Sequence, residues 1–190
     1  MGYLILKCVS RLDAFSVYHI HTRLPGCAPG GTTGAPVVCP SRSFRTKDSA
    51  SQISLTNLLS TYNNVDAVFD IHRDALGNNS DYAPCVKIGD ETVAQLMFVI
   101  GTDGGGLDHP NWINNLKLAV KVQEKANQMY PGLFKPIILR NSRYNQHVAN
   151  GAAIIEVGAT GNTLEQCNGS MKYLADVIDA VMLQFTAKPE

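Results

Sequence analysis

The stretch VDAVFDIHRDA, Val65–Ala75, begins as an apolar run and ends in charged residues. Val65, Ala67, Val68, Phe69 and Ile71 read as a buried strand, because β-branched and aromatic side chains suit a pleated, packed surface. A strand buried on both faces belongs in a parallel sheet covered by helices. His72, Arg73 and Asp74 then fall at the strand's C-terminal end, the edge of an open α/β sheet where ligands bind. One strand thus delivers an imidazole, a guanidinium and a carboxylate to one place. The competing reading is a strand end closed by a structural salt bridge, since histidine serves both as ligand and as hydrogen-bonder.

Downstream, Val86–Glu91 and Val93–Ile100 predict two strands in a hairpin about Gly89-Asp90. Gly101–His109 is a glycine-containing loop that lacks both G-x-G-x-x-G and the P-loop lysine, which argues against nucleotide binding. Pro110–Met129 predicts a helix with Trp112, Leu116, Ala119, Val120, Gln123 and Ala126 on one face, stopped at Pro131-Gly132. Ile137–Leu139 is a brief strand, and Arg140–Asn150 a polar loop carrying Arg140, Asn145 and His147. Ala152–Val157 is an apolar strand interrupted by Glu156. A buried ionised carboxylate costs several kcal/mol unless it is paired or metal-bound. Glu156 is therefore read as functional, since burial raises a carboxyl pKa toward the range useful for acid–base work. Thr163-Leu-Glu-Gln166 is a capping box opening a last helix, with Met171, Leu174, Val177, Ile178, Val181 and Phe185 inward and Thr186–Glu190 as a frayed tail.

Upstream, Phe15–Ile20 predicts a short strand running into His19-Ile20-His21. Two histidines at this spacing share a face of an extended chain, where they can share a metal, or one can bind while the other orients; the alternative is a pair of exposed loop histidines. Arg23–Ser51 is rich in Gly, Pro, Ser and Thr and is expected to be irregular or disordered. Ile53–Tyr62 reads as a short helix with Ile53, Leu55, Leu58 and Leu59 inward.

The chain has 190 residues, 45% hydrophobic and 17% charged, with formal net charge zero, which fits a single domain over 1–190. It has no electrostatic footprint for nucleic acid or for an anionic membrane. No apolar run is long enough to span a bilayer, and Met1–Ser10 is too short and poorly flanked for a signal peptide. The five cysteines are scattered and never form C-x-x-C, so neither a zinc ribbon nor a disulfide framework is implied. Strands alternating with helices give an α/β fold with a mixed, mostly parallel sheet flanked by helices. Histidines at two strand ends and a glutamate at a third are the parts of a zinc hydrolase, in which zinc activates a water whose proton a glutamate accepts.

DIHRDA, the MFVIGT…HPNW…NLKLA run, the PGL…ILR…RYNQH segment and GA-x-IIEVG-x-x-x-NTLEQ, in that order, closely resemble the stage II sporulation protein P family over Val65–Met182. The resemblance implies a zinc-dependent N-acetylmuramoyl-L-alanine amidase of the amidase type 3 group, with a three-layer, zinc-peptidase-like architecture. It implies peptidoglycan as substrate and a role in septal peptidoglycan removal and engulfment during sporulation. A lytic transglycosylase and membrane-anchored sporulation partners come with it, as does an extracytoplasmic location at the septum. Carried over by position, His72 is a zinc histidine and Glu156 the catalytic glutamate. His21, with His19 as the alternative, supplies the first zinc histidine. Arg73 and Arg140 stand as catalytic charges, and His147, Asn145 and Asp74 as substrate-binding positions.

One departure stands out. The family motif continues Thr-x-Glu-Ser-Tyr, with that glutamate as third zinc ligand, whereas this chain reads Thr22-Arg23-Leu24-Pro25-Gly26. Leu24 cannot bind metal. Either the stretch Arg23–Ser51 is a divergent loop or it is out of frame, and a nearby carboxylate such as Asp13 or Asp70 is a substitute ligand. The alternative functions are a zinc-free peptidoglycan-binding relative and a carboxypeptidase-like zinc enzyme.

Overall fold

The computed structural model describes the backbone of Gly2–Lys7 and Ser16–His21, helical residues at 52, 55–57 and 59–60, and residues 65–75 and 81–186. The expectations for Arg23–Ser51 and for the last residues, 187–190, lie outside the described residues, as does most of the connection after Ala75. The described elements are β1 (Gly2–Lys7), β2 (Ser16–His21), β3 (Ala67–Asp74), β4 (Cys85–Ile88), β5 (Glu91–Ala94), β6 (Leu96–Gly101), α1 (Trp112–Met129), β7 (Ile138–Arg140), a 3-10 turn (Gln146–Val148), β8 (Ala152–Ala159) and α2 (Leu164–Thr186).

VDAVFDIHRDA is β3, and it lies at the centre of a mixed sheet ordered β2-β1-β3-β8-β6-β7. Its neighbour β8 runs parallel to it, and β6–β7 is the second parallel pair. The pairs β1–β2, β1–β3 and β6–β8 are antiparallel. Alternation along β3 sorts its side chains. Ala67, Phe69 and Ile71 pack with Phe98 and Ile155 against Ala119, Val122 and Ala126 of α1 and Leu174, Val177 and Val181 of α2. Phe98 stacks on Phe134 with ring centroids 4.9 Å apart. Each such buried aromatic or branched side chain contributes about 1.5–3 kcal/mol. Val68 and Ala152 point the other way and meet Leu55 from the helical residues before β3, while Met97, Val99 and Ile154 form a further cluster. The sheet is thus covered on both faces, as the apolar character of β3 predicts.

Three elements differ from the pattern reading. Gly2–Lys7, read only as a poor signal peptide, is β1, which links β2 to the central strand. Val93–Ile100 is two strands: β5 closes the hairpin with β4, and β6 joins the main sheet. The break is at Gln95, whose N–H donates to Pro84 O and whose carbonyl accepts from Gly158 N, both at 2.9 Å, so its backbone leaves the hairpin ladder. Helix α1 starts at Trp112 rather than Pro110 and is rotated slightly: Asn115 and Val122 are buried and Val120 is exposed. At α2 the capping box forms as read, with Gln166 N–H donating to Thr163 Oγ1 and Thr163 N–H donating to Gln166 Oε1.

Candidate functional site

The parallel register of β3 and β8 sets His72 directly opposite Glu156. Both are half-buried, and both project from the sheet face away from α1 and α2. Asp70 and Asp74, two residues either side of His72 on β3, share that face. Immediately beyond the His72–Glu156 pair the register slips: Asp74 pairs with Ala159, so Val157 and Gly158 of β8 oppose Arg73 alone. This is a β-bulge, a device that re-aims a strand end. Gly158 takes the left-handed backbone it needs, at φ +64°, and a Cβ there would come within 2.5 Å of Asn162 Oδ1. Arg73 clamps the bulge from the other face. Its Nε donates to Ala159 O at 2.9 Å, and its guanidinium also donates to the carbonyls of Thr160 and Asn162. Those bonds direct the Arg73 guanidinium to the turn before α2 and not to the His72–Glu156 face.

The electrostatics of the face are acidic, with three carboxylates around one imidazole. Burial raises the Glu156 carboxyl above its usual 4.5; His72 and Lys135 oppose that rise, and Asp74 and Asp70 add to it. The contact with Asp70 raises His72 above 6.5 against the opposing effect of burial. Asp70 Oδ1 is 2.9 Å from His72 Nε2. Asp70 Oδ1, His72 Nε2 and Glu156 Oε2 are all shielded from solvent and have no aligned hydrogen-bond partner. An imidazole nitrogen and carboxylate oxygens are donors of the kind zinc takes. Among the described residues, no three His, Cys, Asp or Glu side chains surround one metal position.

The remaining sequence-predicted residues lie elsewhere. β6 and β7 run opposite to β3 and β8, so their C-terminal ends sit at the other edge of the sheet. Arg140, the last residue of β7, pairs with Gly101, two residues past Val99, whose partner is Ile154. It is therefore level with Ala152, about 13 Å along the sheet from Glu156. His147 belongs to the 3-10 turn that precedes β8 at that same edge, and Asn145, at φ 62°, is the residue before its first. His147 packs edge-on to buried His109, ring centroids 6.4 Å apart, and its Nε2 is 3.4 Å from Gln52 Nε2. The structure brings His72, Asp74 and Glu156 together and leaves Arg140, Asn145 and His147 apart from them. The pairing sets His21 opposite Gly2 and Gly2 opposite Ile71, while His19 lies level with Leu4 and Phe69. Both histidines are two strands, about 10 Å, from β3, His21 one row and His19 three rows along from His72; their side chains lie outside the described residues.

Sequence reasoning gave no site role to Lys135 and offered Asp70 only as a substitute ligand. Asp70 had a usable signal, because the alternation that exposes His72 to one face must put Asp70 beside it. Lys135 had none: its charge is the weakest influence on Glu156, its ammonium sits 5.2 Å from the Tyr82 ring centroid, and its loop bonds to β6, Lys135 N donating to Leu96 O at 2.8 Å.

A family model described as Stage II sporulation protein P (SpoIIP) matches residues 41–179. The stage II sporulation protein P of Bacillus subtilis (strain 168) is 27% identical over 124 residues, which are 63% of this chain and 29% of the relative. The chain thus spans under a third of that relative's length. Among solved structures, an N-acetylmuramoyl-L-alanine amidase, AmiC2 of Nostoc punctiforme, superposes with TM-score 0.46 at 12% identity, covering 70% of this chain and 64% of that one.

Proposed function

The chain belongs to the stage II sporulation protein P family, and from that premise we propose that it is a cell-wall hydrolase cutting the amide between muramic acid and L-alanine in peptidoglycan. The observation that carries the proposal is the pairing of His72 with Glu156 across adjacent parallel strands, on a face where the shielded Glu156 Oε2 has no hydrogen-bond partner. Glu156 is the general base: it takes a proton from the attacking water and hands it to the departing amine nitrogen. Its raised pKa suits both transfers, because a base that is too acidic in its protonated form does not hold the proton long enough to pass it on. Asp74 lies on the same face and orients substrate. His72 would hold zinc; when bound, zinc supplies Lewis-acid polarisation of the scissile carbonyl and a more acidic water. The setting we infer is extracytoplasmic, at the sporulation septum, with a lytic transglycosylase as partner on the same polymer. Among the described residues, no helix is long and apolar enough to cross a membrane.

The experiment is digestion of purified peptidoglycan with the full chain, reading which ends appear. An amidase frees new α-amino groups on alanine and creates no reducing sugar ends. Reducing ends, or cuts confined to peptide cross-links, would reject the assignment. A second reading, a zinc-free peptidoglycan-binding relative, draws its support from Leu24 at the motif's glutamate position. It predicts sedimentation with peptidoglycan and neither bound zinc nor new ends.

A further inference from the structure

The face that carries His72 and Glu156 continues across the sheet. Glu156 pairs with Met97 on β6, and on the far side of β6 Phe134 bridges Leu96 in parallel. Leu96 N donates to Leu133 O and Lys135 N donates to Leu96 O, both at 2.8 Å, so Lys135 follows Phe134 as Met97 follows Leu96. Phe134 and Leu96 lie in the core against the helices, while Met97 belongs to the cluster on the opposite face. Alternation therefore turns Lys135 to the face of Met97, Glu156 and His72. The four residues form one row, with Lys135 two strand spacings, about 10 Å, from Glu156. The Tyr82 ring flanks the ammonium at 5.2 Å from its centroid, and the Tyr82 carbonyl accepts from Gly161 N at the turn after β8. The cation is thus held at the edge where β3 and β8 end. Among the described residues, no carboxylate pairs with it.

Charge on this face is uneven. Asp70 and Asp74 stand on β3, to one side of Glu156, and Lys135 stands to the other. An anionic chain laid across Glu156 is repelled over β3 and attracted beyond β6. The peptide on the nitrogen side of the scissile amide is such a chain. From the scissile carbonyl through alanine to the next residue is two residues of extended chain, about 7 Å. A carboxylate on that next residue then meets the flexible head of Lys135.

We propose that Lys135 binds the carboxylate of the stem-peptide residue that follows the alanine, and so lays the sugar side of the cut over β3 and the peptide side over β6. The proposal rests on the hydrolase reading of the His72–Glu156 site and gives that site a substrate direction. Lys135 touches no reacting atom; it selects the substrate by charge.

The test uses the full chain, with zinc in the buffer, and two synthetic muramyl peptides that differ in one group: the residue after the alanine carries a free α-carboxylate or its carboxamide. Wild-type kcat/KM should favour the carboxylate peptide by at least about tenfold, the size of one charge-assisted hydrogen bond. Lys135→Met should erase the preference by slowing the carboxylate peptide alone, and Lys135→Arg should keep it. A misfolded variant loses both peptides; should Lys135→Met do so, Lys135→Gln carries the same comparison. Equal rates on the two peptides in wild type, or a preference that survives in Lys135→Met, would overturn the assignment while sparing the hydrolase reading. If neither peptide is cut, the hydrolase reading falls, and calorimetric binding of the same two peptides decides Lys135 by itself: discrimination that disappears in Lys135→Met supports the contact, and equal binding rejects it.

Discussion

The two edges of the sheet carry similar residue types and use them in opposite ways. At the C-terminal edge of β3 and β8, Asp70 and His72 pair at 2.9 Å, and the shielded Glu156 Oε2 lacks a hydrogen-bond partner. At the other edge, two buried amides bond through both of their polar atoms. Asn115, 0% exposed, accepts from Gly151 N and Ala152 N at 2.8 and 2.9 Å and donates to Gln146 O at 3.0 Å. Gln146 accepts from Gly101 N and donates to Val99 O, each at 2.9 Å. These amides weld the start of β8 and the end of β6 to α1 and to the 3-10 turn. The protonation preferences also diverge. Burial depresses both His109 and His147 below 6.5, whereas His72 and Glu156 are both raised. The far edge spends its two amides on backbone groups, with His109 Nδ1 and His147 Nδ1 left without an aligned partner, whereas the near edge sets a carboxylate and an imidazole opposite one another beside a bulge.

The largest expected effect separates the two edges by function. Glu156→Gln should lower the rate of alanine amino-group release by about 10²–10⁴-fold, the usual loss on removing a general base. Its melting temperature should stay near wild type, because the amide takes the place of a carboxylate already penalised by burial. Wild-type turnover in this variant would remove Glu156 from the mechanism.

The mirror-image change is Asn115→Leu. It strands the N–H groups of Gly151 and Ala152, and at about 1–3 kcal/mol for each unsatisfied group the expected loss is about 2–6 kcal/mol. Urea denaturation reads that loss directly. Activity per folded molecule should survive, since Asn115 serves the edge without catalytic groups; a rate loss as large as that of Glu156→Gln would merge the two edges into one site.

Acid should stress the edges unequally. His109 and His147 have depressed native pKa values, so as pH falls below 6.5 the unfolded chain takes up protons that the native state resists. Stability present above 6.5 is lost on the way down through their native values. Glu156 and His72 work in the other sense: their raised values favour the native state at low pH, and that contribution disappears as pH rises through the native pKa of each. Urea midpoints measured below pH 6.5 should therefore decline less in His147→Gln than in wild type. An identical decline would show that His147 is not among the groups excluding protons.

The smallest effect lies outside both edges. Thr163→Ala removes the capping hydroxyl at the start of α2 and should cost about 1 kcal/mol. A thermal melt detects it, and it should leave the comparison of the edges unchanged.

Local chemistry in the chain was enough for several elements. Alternating and continuous apolar runs specify β3 and β8, helical spacing specifies α1 and α2, and Thr163 and Gln166 specify a cap, because each rests on neighbours within a few residues. The catalytic candidates His72 and Glu156 were also legible, since charged groups ending apolar strands are costly without a purpose. What no local pattern contains is strand direction. Parallel pairing of β3 with β8 makes His72 and Glu156 opposite numbers, while the reversed course of β6 and β7 carries Arg140, Asn145 and His147 to the far edge. Arg73 shows the same limit at the scale of one residue: its neighbour His72 faces the site, but period-two alternation and a bulge in the next strand turn its guanidinium onto three backbone carbonyls. Sequence by itself determined which residues have the chemistry; only the pairing of distant strands, set by packing across the whole sheet, decided which of them meet.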